Sequence, residues 1–580
     1  MMSAKANREE RVPLKVEEGK TQDEKETDPF AAVEDFQPVG PPWNELDGAG
    51  KFKRVAITFI KITLLLGLLY MFICSLSFLS SAFRLLGGKT AGDAFTSESI
   101  VNNPVAGLMI GVLATVLLQS SSTTTSIIVA MVASGILTVQ TAIPMTMGAN
   151  IGTSVTNTIV AIGQISDKNQ FRRAFAGATV HDMFNLLCVV ILLPLEVITG
   201  YLYHLSKAIV DTMERPENGE EYKKELLKKI TKPFTNVIIQ LDKKVIQKIA
   251  EGDESAMDKS LLKVWCDKGT TVTTLKNVTD SLGNVTLKNV TEKIYHEKCS
   301  YLFADTGMSD TAIGALMLVI SLLILCICLV FIVKTLHSLL KGQIAVVIRK
   351  TFNSEFPKPF GFLTGYVAIL VGAGLTILVQ SSSIFTSALT PLVGMGIVSL
   401  DRIYPLTLGS NIGTTGTGIL AALASSSDKF HLALQIALCH LFFNISGIII
   451  WYPIPAMRRV PIRAARFLGN TTAEYRWFAL LYLVVVFFLL PAFIFALSLA
   501  GIAVFFGILG PVVAFIIFII IVNVLQEKKP EVLPNALKDW ERVPKPLRSL
   551  EPYDRVFSKV YKKMDRNRTK SETVPMQEKI

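Results

Sequence analysis

Charge is missing from two long stretches of this chain: from Ser99 to Ser166, and again from Pro359 to Leu400, there is no Asp, Glu, Lys or Arg. Such segments are unsuited to a water-facing surface and belong in lipid or against other buried helices. Cysteine is scarce too. Seven in 580 residues are too few for a disulfide scaffold, and Cys74, Cys188, Cys326, Cys328 and Cys439 lie in apolar runs where a small buried hydrophobe is the default reading. Metal-ligand clusters, nucleophile triads and phosphate-binding glycine loops are absent as patterns, so the chain does not read as an enzyme. A cleavable signal peptide is absent as well: the first apolar run, Ile62 to Phe83, follows about fifty polar residues and acts as its own insertion signal.

What is present is apolar mass. Half of the residues are hydrophobic and the mean hydropathy is +0.45, which points to an all-α polytopic membrane protein. The formal charge of +11 sits beside the apolar runs, at Lys51, Lys53 and Arg54, at Lys334, Lys341, Arg349 and Lys350, and at Arg458, Arg459, Arg463 and Arg466. That is the positive-inside pattern of membrane proteins and not a nucleic-acid groove.

Cys266 and Cys299 stand apart, because they bracket a polar stretch with sequons at Asn277, Asn284 and Asn289. Together these predict an extracellular glycosylated loop, 203–310, closed by a disulfide. The sequon-like Asn444 and Asn567 fall in an apolar span and a cytosolic tail and are discounted. The chain then divides into a cytosolic disordered N-terminus (1–52), a first transmembrane half (53–202), the loop, a second transmembrane half (311–525) and a cytosolic C-terminal tail (526–580).

Each half carries the same motif. Gln119, Ser120, Ser121 and Ser122 recur as Gln380, Ser381, Ser382 and Ser383, at an offset of 261 residues. Without a gap, Gln119 to Thr156 matches Gln380 to Thr417 at 17 of 38 positions, including "GANIGTSVT" from Gly148 against "GSNIGTTGT" from Gly409. At an offset of 259, "HDMFN" from His181 pairs with "HLFFN" from His440, so the correspondence covers four apolar segments per half. With the N-terminus and the stretch Lys334 to Lys358 cytosolic and the sequons outside, the first copy is entered from outside and the second from inside. The expected architecture is therefore two inverted-topology repeats. The pieces flanking each Gln-Ser-Ser-Ser are about 10 to 15 residues long, too short to span, and read as re-entrant helical hairpins with broken helices.

Hydroxyls, amides and freed helix ends suit two ligands at once. Sodium is a hard cation that takes several oxygens, and a tetrahedral oxyanion takes many N–H and O–H donors. The motifs hold no Arg or Lys, so the counter-charge for the anion would come from the cation itself. His181 and His440 read as structural helix residues rather than ligands.

The duplicated Gln-Ser-Ser-Ser, the "NIGT" motifs, "FRRAFAGATVHD", "LDKKVI", "LTLGSNIGTT" and "WYPIP" resemble the type II sodium-dependent phosphate cotransporters, solute carrier family 34, with the epithelial IIb form nearest, from about Lys53 to Leu525. The resemblance implies a secondary active symporter that couples inward sodium movement to uptake of inorganic phosphate. It implies an apical plasma membrane with both termini cytosolic, no cofactor beyond sodium as coupling ion, and room for cytosolic trafficking partners on the tails. Carried over by motif, phosphate would be held by Gln119, Ser120, Ser121, Ser122, Thr153, Ser381, Ser382, Ser383 and Thr417. Sodium would be held by Gln164, Asp167, Asp182, Asn185, Gln380, Ser381, Ser410 and Thr414. From the residues alone, Asp167, beside Lys168, Arg172 and Arg173, reads as a loop charge. In the family, electrogenic members carry an acid at the position of Asp182 and alanines at those of Ala176 and Ala178, which implies net charge movement with divalent phosphate. Two departures stand out. Gly416 occupies a place where the family commonly has threonine, and the tail ends "MQEKI" without a cysteine cluster or an obvious scaffold-binding motif. A sodium-coupled carrier of another oxyanion, such as sulfate or a carboxylate, and a hydroxyl-lined channel are the alternatives.

Overall fold

The computed structural model describes residues 28–31, 46–96, 103–134, 136–212, 226–250, 253–266, 270–279, 285–294, 297–304, 306–339, 355–423 and 430–555. Helices dominate it: α1 (Gly48–Thr96), α2 (Pro104–Leu118), α3 (Ser121–Ser134), α4 (Val139–Gly152), α5 (Val155–Ile162) and α6 (Lys168–Thr199) form the first half. The second half holds α7 (Asp310–Leu339), α8 (Leu363–Val379), α9 (Ser382–Gly394), α10 (Leu400–Leu423), α11 (Phe430–Trp451) and α12 (Pro455–Glu474). It ends in α13 (Phe478–Leu499), which contains a π turn at Val485–Leu489, and α14 (Ile502–Lys528). Among the described residues, seven helices are long and apolar enough to cross a membrane. The plainest case is α14, apolar on all sides and, with Val522 an exception, hardly buried against the protein. A helix of that kind is stable only with lipid around it.

The two arms of the first hairpin, α2 with 15 residues and α3 with 14, are short for a bilayer, each reaching about 22 Å against a hydrocarbon core of about 30 Å. Asn103 starts α2: its Oδ1 accepts from Val105 N and Ala106 N, with Pro104 in the first turn where no donor is lost. The second hairpin departs from the expected length, since α8 together with the 3-10 turn at Phe360–Phe362 runs to 20 residues.

Glycine explains how the duplicated segments pack. A Cβ on Gly148 of α4 would run into the carbonyl oxygen of Leu108 in α2, and one on Gly409 of α10 into that of Ile369 in α8. Equivalent glycines thus let equivalent helix backbones touch, which no other residue allows. The copies differ one turn later. Helix breaks at Thr153 and Ser154 between α4 and α5, whereas α10 continues unbroken to Leu423.

The loop between the halves is more than solvated chain. Its helices Leu226–Ile238 and Lys243–Ala250 are amphipathic, and Ile239, Val245, Ile246, Ile249, Leu261 and Leu262 are buried in the same core as the membrane helices. Phe234 meets Tyr70 and Phe78 of α1 at ring-centroid distances of 6.4 and 6.0 Å. The loop also holds a β-ladder, β1 (Thr270–Thr279) antiparallel to β2 (Val285–Ile294), with Asn277 opposite Leu287 and Asn289 opposite Leu275. Asn284 lies outside the described residues. Cys266 and Cys299 are bonded, 33 residues apart. Closing such a loop stabilises it by about 3 to 4 kcal/mol in the chain-entropy treatment. Serine at both positions is expected to lower surface delivery severalfold while leaving the phosphate KM of the protein that does arrive unchanged, as surface labelling with uptake kinetics would read.

Described residues of both terminal segments meet neighbouring parts of the body. In a segment expected to be disordered, Phe30 is buried against Gly469 of α12, under the guanidinium of Arg466 at 5.5 Å, and Asp28 pairs with Arg466 at 3.1 Å. Asp554 accepts a hydrogen bond from Trp477 Nε1, just past α12, at 3.1 Å. One buried ring and one ion pair are enough to dock a short polar segment that lacks a core of its own.

Candidate substrate site

The two hairpin tips share an unusual backbone. Gln119 and Gln380 both adopt left-handed conformation, φ 51° and 55°, and among the described residues they are the two non-glycine residues that do so. An L-residue there costs about 1 kcal/mol or more, so the tips are strained at the very residues that repeat. The turn ends α2 and α8 and places the following serines at the starts of α3 and α9. Gln119 is fixed by donating from Nε2 to Val116 O at 2.6 Å and by accepting from Thr156 Oγ1 at 2.8 Å. Ser381 caps α9, its Oγ accepting from Ile384 N.

Behind the tips, the copies exchange partners. Asn150 of α4 accepts from His440 Nε2 at 3.0 Å and donates to Asn444 Oδ1 at 3.1 Å, both on α11. Asn411 of α10 accepts from His181 Nε2 at 2.6 Å and donates to Asn185 Oδ1 at 2.8 Å, both on α6. An amide oxygen only accepts, so each imidazole donates through Nε2. Each "NIGT" asparagine therefore reads the histidine and asparagine of the other copy. All six side chains are buried, and a lost partner in such a cluster costs about 1 to 3 kcal/mol. His181 and His440 are structural in the sense expected, and Asn444, far from carrying sugar, is a member of this seam.

The candidate residues fall into several neighbourhoods. Ser121, Ser382, Ser383, Thr153, Ser410 and Thr414 are buried, and Ser120, Ser122, Gln380, Ser381 and Thr417 are partly open. Thr153 and Thr414 make the same bond, each donating to the carbonyl one turn back, Ala149 O and Ser410 O, at 3.0 Å. Thr417 donates to Thr414 O, in contrast to its counterpart Thr156, which reaches Gln119. Ser410 accepts from Thr376. Asn185 belongs to the cross-copy seam. Asp182, one turn before it on α6, is buried, accepts from Tyr482 Oη on α13 at 3.1 Å through Oδ2, and keeps Oδ1 buried without a partner. Gln164 is buried beside Gly394 at the end of α9, with neither side-chain amide atom paired. Unpaired buried oxygens are costly, and a carboxylate most of all, unless something positive meets them. Both oxygens suit sodium.

Asp167 stands three residues after Gln164 and far along α6 from Asp182. It is the exposed N-cap of α6, its Oδ1 accepting from Asn169 N at 2.9 Å and Gln170 N at 2.8 Å. Fifteen residues of helix, about 22 Å, separate it from Asp182.

Residues that the duplication does not announce also enter. Asn157, whose counterpart is Gly418, accepts from Thr386 at 2.8 Å and Ser387 at 3.0 Å and so ties α9 to the first half. Arg173 donates to Gly394 O at 2.8 Å. Arg84 of α1, from outside the motifs, reaches the first tip. Nothing in the sequence singles out Tyr482; in the structure it lies beside the π turn of α13, a distortion frequent at functional sites.

Two broken hairpins inside a lipid-embedded helical body, backed by a buried polar seam between duplicated halves, are the build of a membrane transport protein. The Na+/Pi-cotransporter family model matches residues 71–202 and 324–458, one segment in each half. The sodium-dependent phosphate transport protein 2B of Pongo abelii is 55% identical over 538 residues, covering 90% of this chain and 78% of the relative. The human protein of that name is equally similar, at 55% over the same shares. The 2A protein of Rattus norvegicus is 53% identical over 509 residues, 88% of this chain and 79% of its own. No solved structure matches the chain. The chain belongs to the Na+/Pi-cotransporter family, among the type II sodium-dependent phosphate transport proteins.

Proposed function

We propose that the protein is a symporter that moves sodium inward and carries inorganic phosphate with it across the plasma membrane. The observation that carries this is the pair of strained Gln-Ser-Ser-Ser tips, each presenting hydroxyls and a fresh helix N-terminus. Helix N-termini and hydroxyls donate to an oxyanion, while amide and carboxylate oxygens take sodium. Phosphate is assigned to Gln119, Ser120, Ser121, Ser122, Thr153, Ser381, Ser382, Ser383 and Thr417. Sodium is assigned to Gln164, Asp167, Asp182, Asn185, Gln380, Ser381, Ser410 and Thr414, of which Asp167 also caps α6. The halves 53–202 and 311–525 lie in opposite orientations, 203–310 is extracellular and carries sugar, and both tails are cytosolic, at the apical face of an epithelium. The docking of Asp28 and Phe30 onto α12, the helix that holds Arg458, Arg459, Arg463 and Arg466, supports a common side for the N-terminus and these basic residues.

Purified protein in liposomes provides the test. Phosphate is expected to accumulate against its gradient only with an inward sodium gradient, saturably, with arsenate competing and sulfate not. Sulfate competing as well as arsenate would transfer the assignment to another oxyanion, and passive, non-saturable flux would mark a channel.

A further inference from the structure

We propose that the two tips are chemically distinct because of Arg84: through Thr123 it makes Ser120 a committed hydrogen-bond donor, so that the first tip is the anion-selective one. The proposal rests on the phosphate–sodium reading of the site. Arg84 lies on α1, outside the duplicated segments, and is partly buried. Its Nε donates to Leu118 O at 3.3 Å and its Nη2 to Thr123 Oγ1 at 2.9 Å. Leu118 is the last residue of α2, whose C-terminal end carries partial negative charge that would repel an anion. The guanidinium offsets that charge and leaves the positive N-terminal end of α3 in command of the tip.

Hydrogen-bond direction supplies the rest. Thr123 Oγ1 accepts from Arg84, so its own proton goes to Ser120 Oγ, at 2.9 Å. Ser120 Oγ also accepts from Thr123 N at 3.2 Å. A hydroxyl oxygen has two lone pairs. Both are taken, and what Ser120 still offers is its proton. It can serve an unprotonated phosphate oxygen but cannot ligate sodium or accept from a protonated one.

The second tip is built differently. The place of Thr123 is held by Ile384, which packs on an apolar cluster that includes Phe72, Leu79 and Leu325. Ser381 Oγ accepts from Ile384 N, but no hydroxyl or cation can reach it through residue 384. It keeps a lone pair and can face sodium. Ser120 and Ser381, identical in the repeat, therefore differ in what they offer the ligands, the first its proton alone and the second a lone pair as well, and Arg84 is a positioning residue that sets phosphate affinity and the preference for its divalent form.

Liposome uptake by wild type, Arg84→Gln, Arg84→Lys and Thr123→Ile tests this. Arg84→Gln is expected to raise the phosphate KM about tenfold, the scale of one lost charge-assisted contact, while the sodium concentration for half-maximal activation and the maximal rate per molecule move less than about twofold. Arg84→Lys, which keeps the charge without the two-pronged geometry, should recover part of the affinity. Thr123→Ile, which rebuilds the second tip in the first, should reproduce the Gln variant with Arg84 still present. The fall in phosphate KM on raising pH through the range where phosphate becomes divalent should flatten in both Arg84→Gln and Thr123→Ile. An unchanged phosphate KM with an unchanged pH profile in Thr123→Ile overturns the proposal, even if Arg84→Gln fails to fold. Equal shifts for sodium and phosphate would overturn it as well. Wild-type protein without sodium-dependent phosphate uptake would instead overturn the assigned function.

Discussion

Tryptophan at Ser122, and separately at Ser383, is expected to reduce phosphate uptake to below about 1% of wild type, with surface expression retained. The two serines are equivalent in the repeat, in the first turns of α3 and α9. Their backbones are already engaged: Ser126 donates to Ser122 O at 2.7 Å, and Thr386 lies 3.5 Å from Ser383 O. A new side chain therefore projects from a fixed tip and does not unwind the helix. Overpacking of this kind costs about 1 to 3 kcal/mol, which a body of this size can absorb. Occupying the space where the ligand must sit cannot be absorbed. Surface labelling with tracer uptake reads both quantities, and near-normal transport in either variant would rule out a site shared by the two copies.

The second large effect is electrical. Asp182→Gly is expected to abolish the phosphate-evoked current and to leave sodium-dependent phosphate uptake measurable. The repeat isolates this residue, because its counterpart on α11 is Leu441 while the flanking His and Asn are duplicated. The acid is buried, with Tyr482 on one oxygen and nothing on the other, a state that is expensive without a cation. A sodium held there would add a positive charge that divalent phosphate does not balance. One net charge moved across about 60 mV is worth about 1.4 kcal/mol, near a tenfold gain in attainable phosphate gradient. Voltage-clamp recording with tracer uptake in the same cells gives the charge-to-phosphate ratio. An undiminished ratio in the Gly variant would remove Asp182 from the sodium pathway.

The duplication, the short arms of the first hairpin and the cysteine pair are legible in one dimension, because each is a matter of residue type and spacing along the chain. A Gln followed by serines inside an uncharged run cannot continue a spanning helix comfortably, and its repetition at an offset of 261 residues marks a shared design. The packing of the loop is not legible in the same way. Its charged residues hide an amphipathic pattern whose apolar face joins the core, and Phe30 docks from a tail too polar to fold alone.

What only the tertiary structure decided is who faces whom. A duplicated sequence permits Asn150 to pair with His181 of its own copy or with His440 of the other, since both arrangements use the same residue types. The packing of the two halves chooses the exchange, His440 with Asn150 and His181 with Asn411. Arg84 was beyond reach for the same reason. It belongs to a helix outside the repeat, and its guanidinium meets Thr123 only because α1 lies along the first hairpin. Chain chemistry sets which bonds a side chain is able to make, and burial against a particular neighbour selects the one it makes.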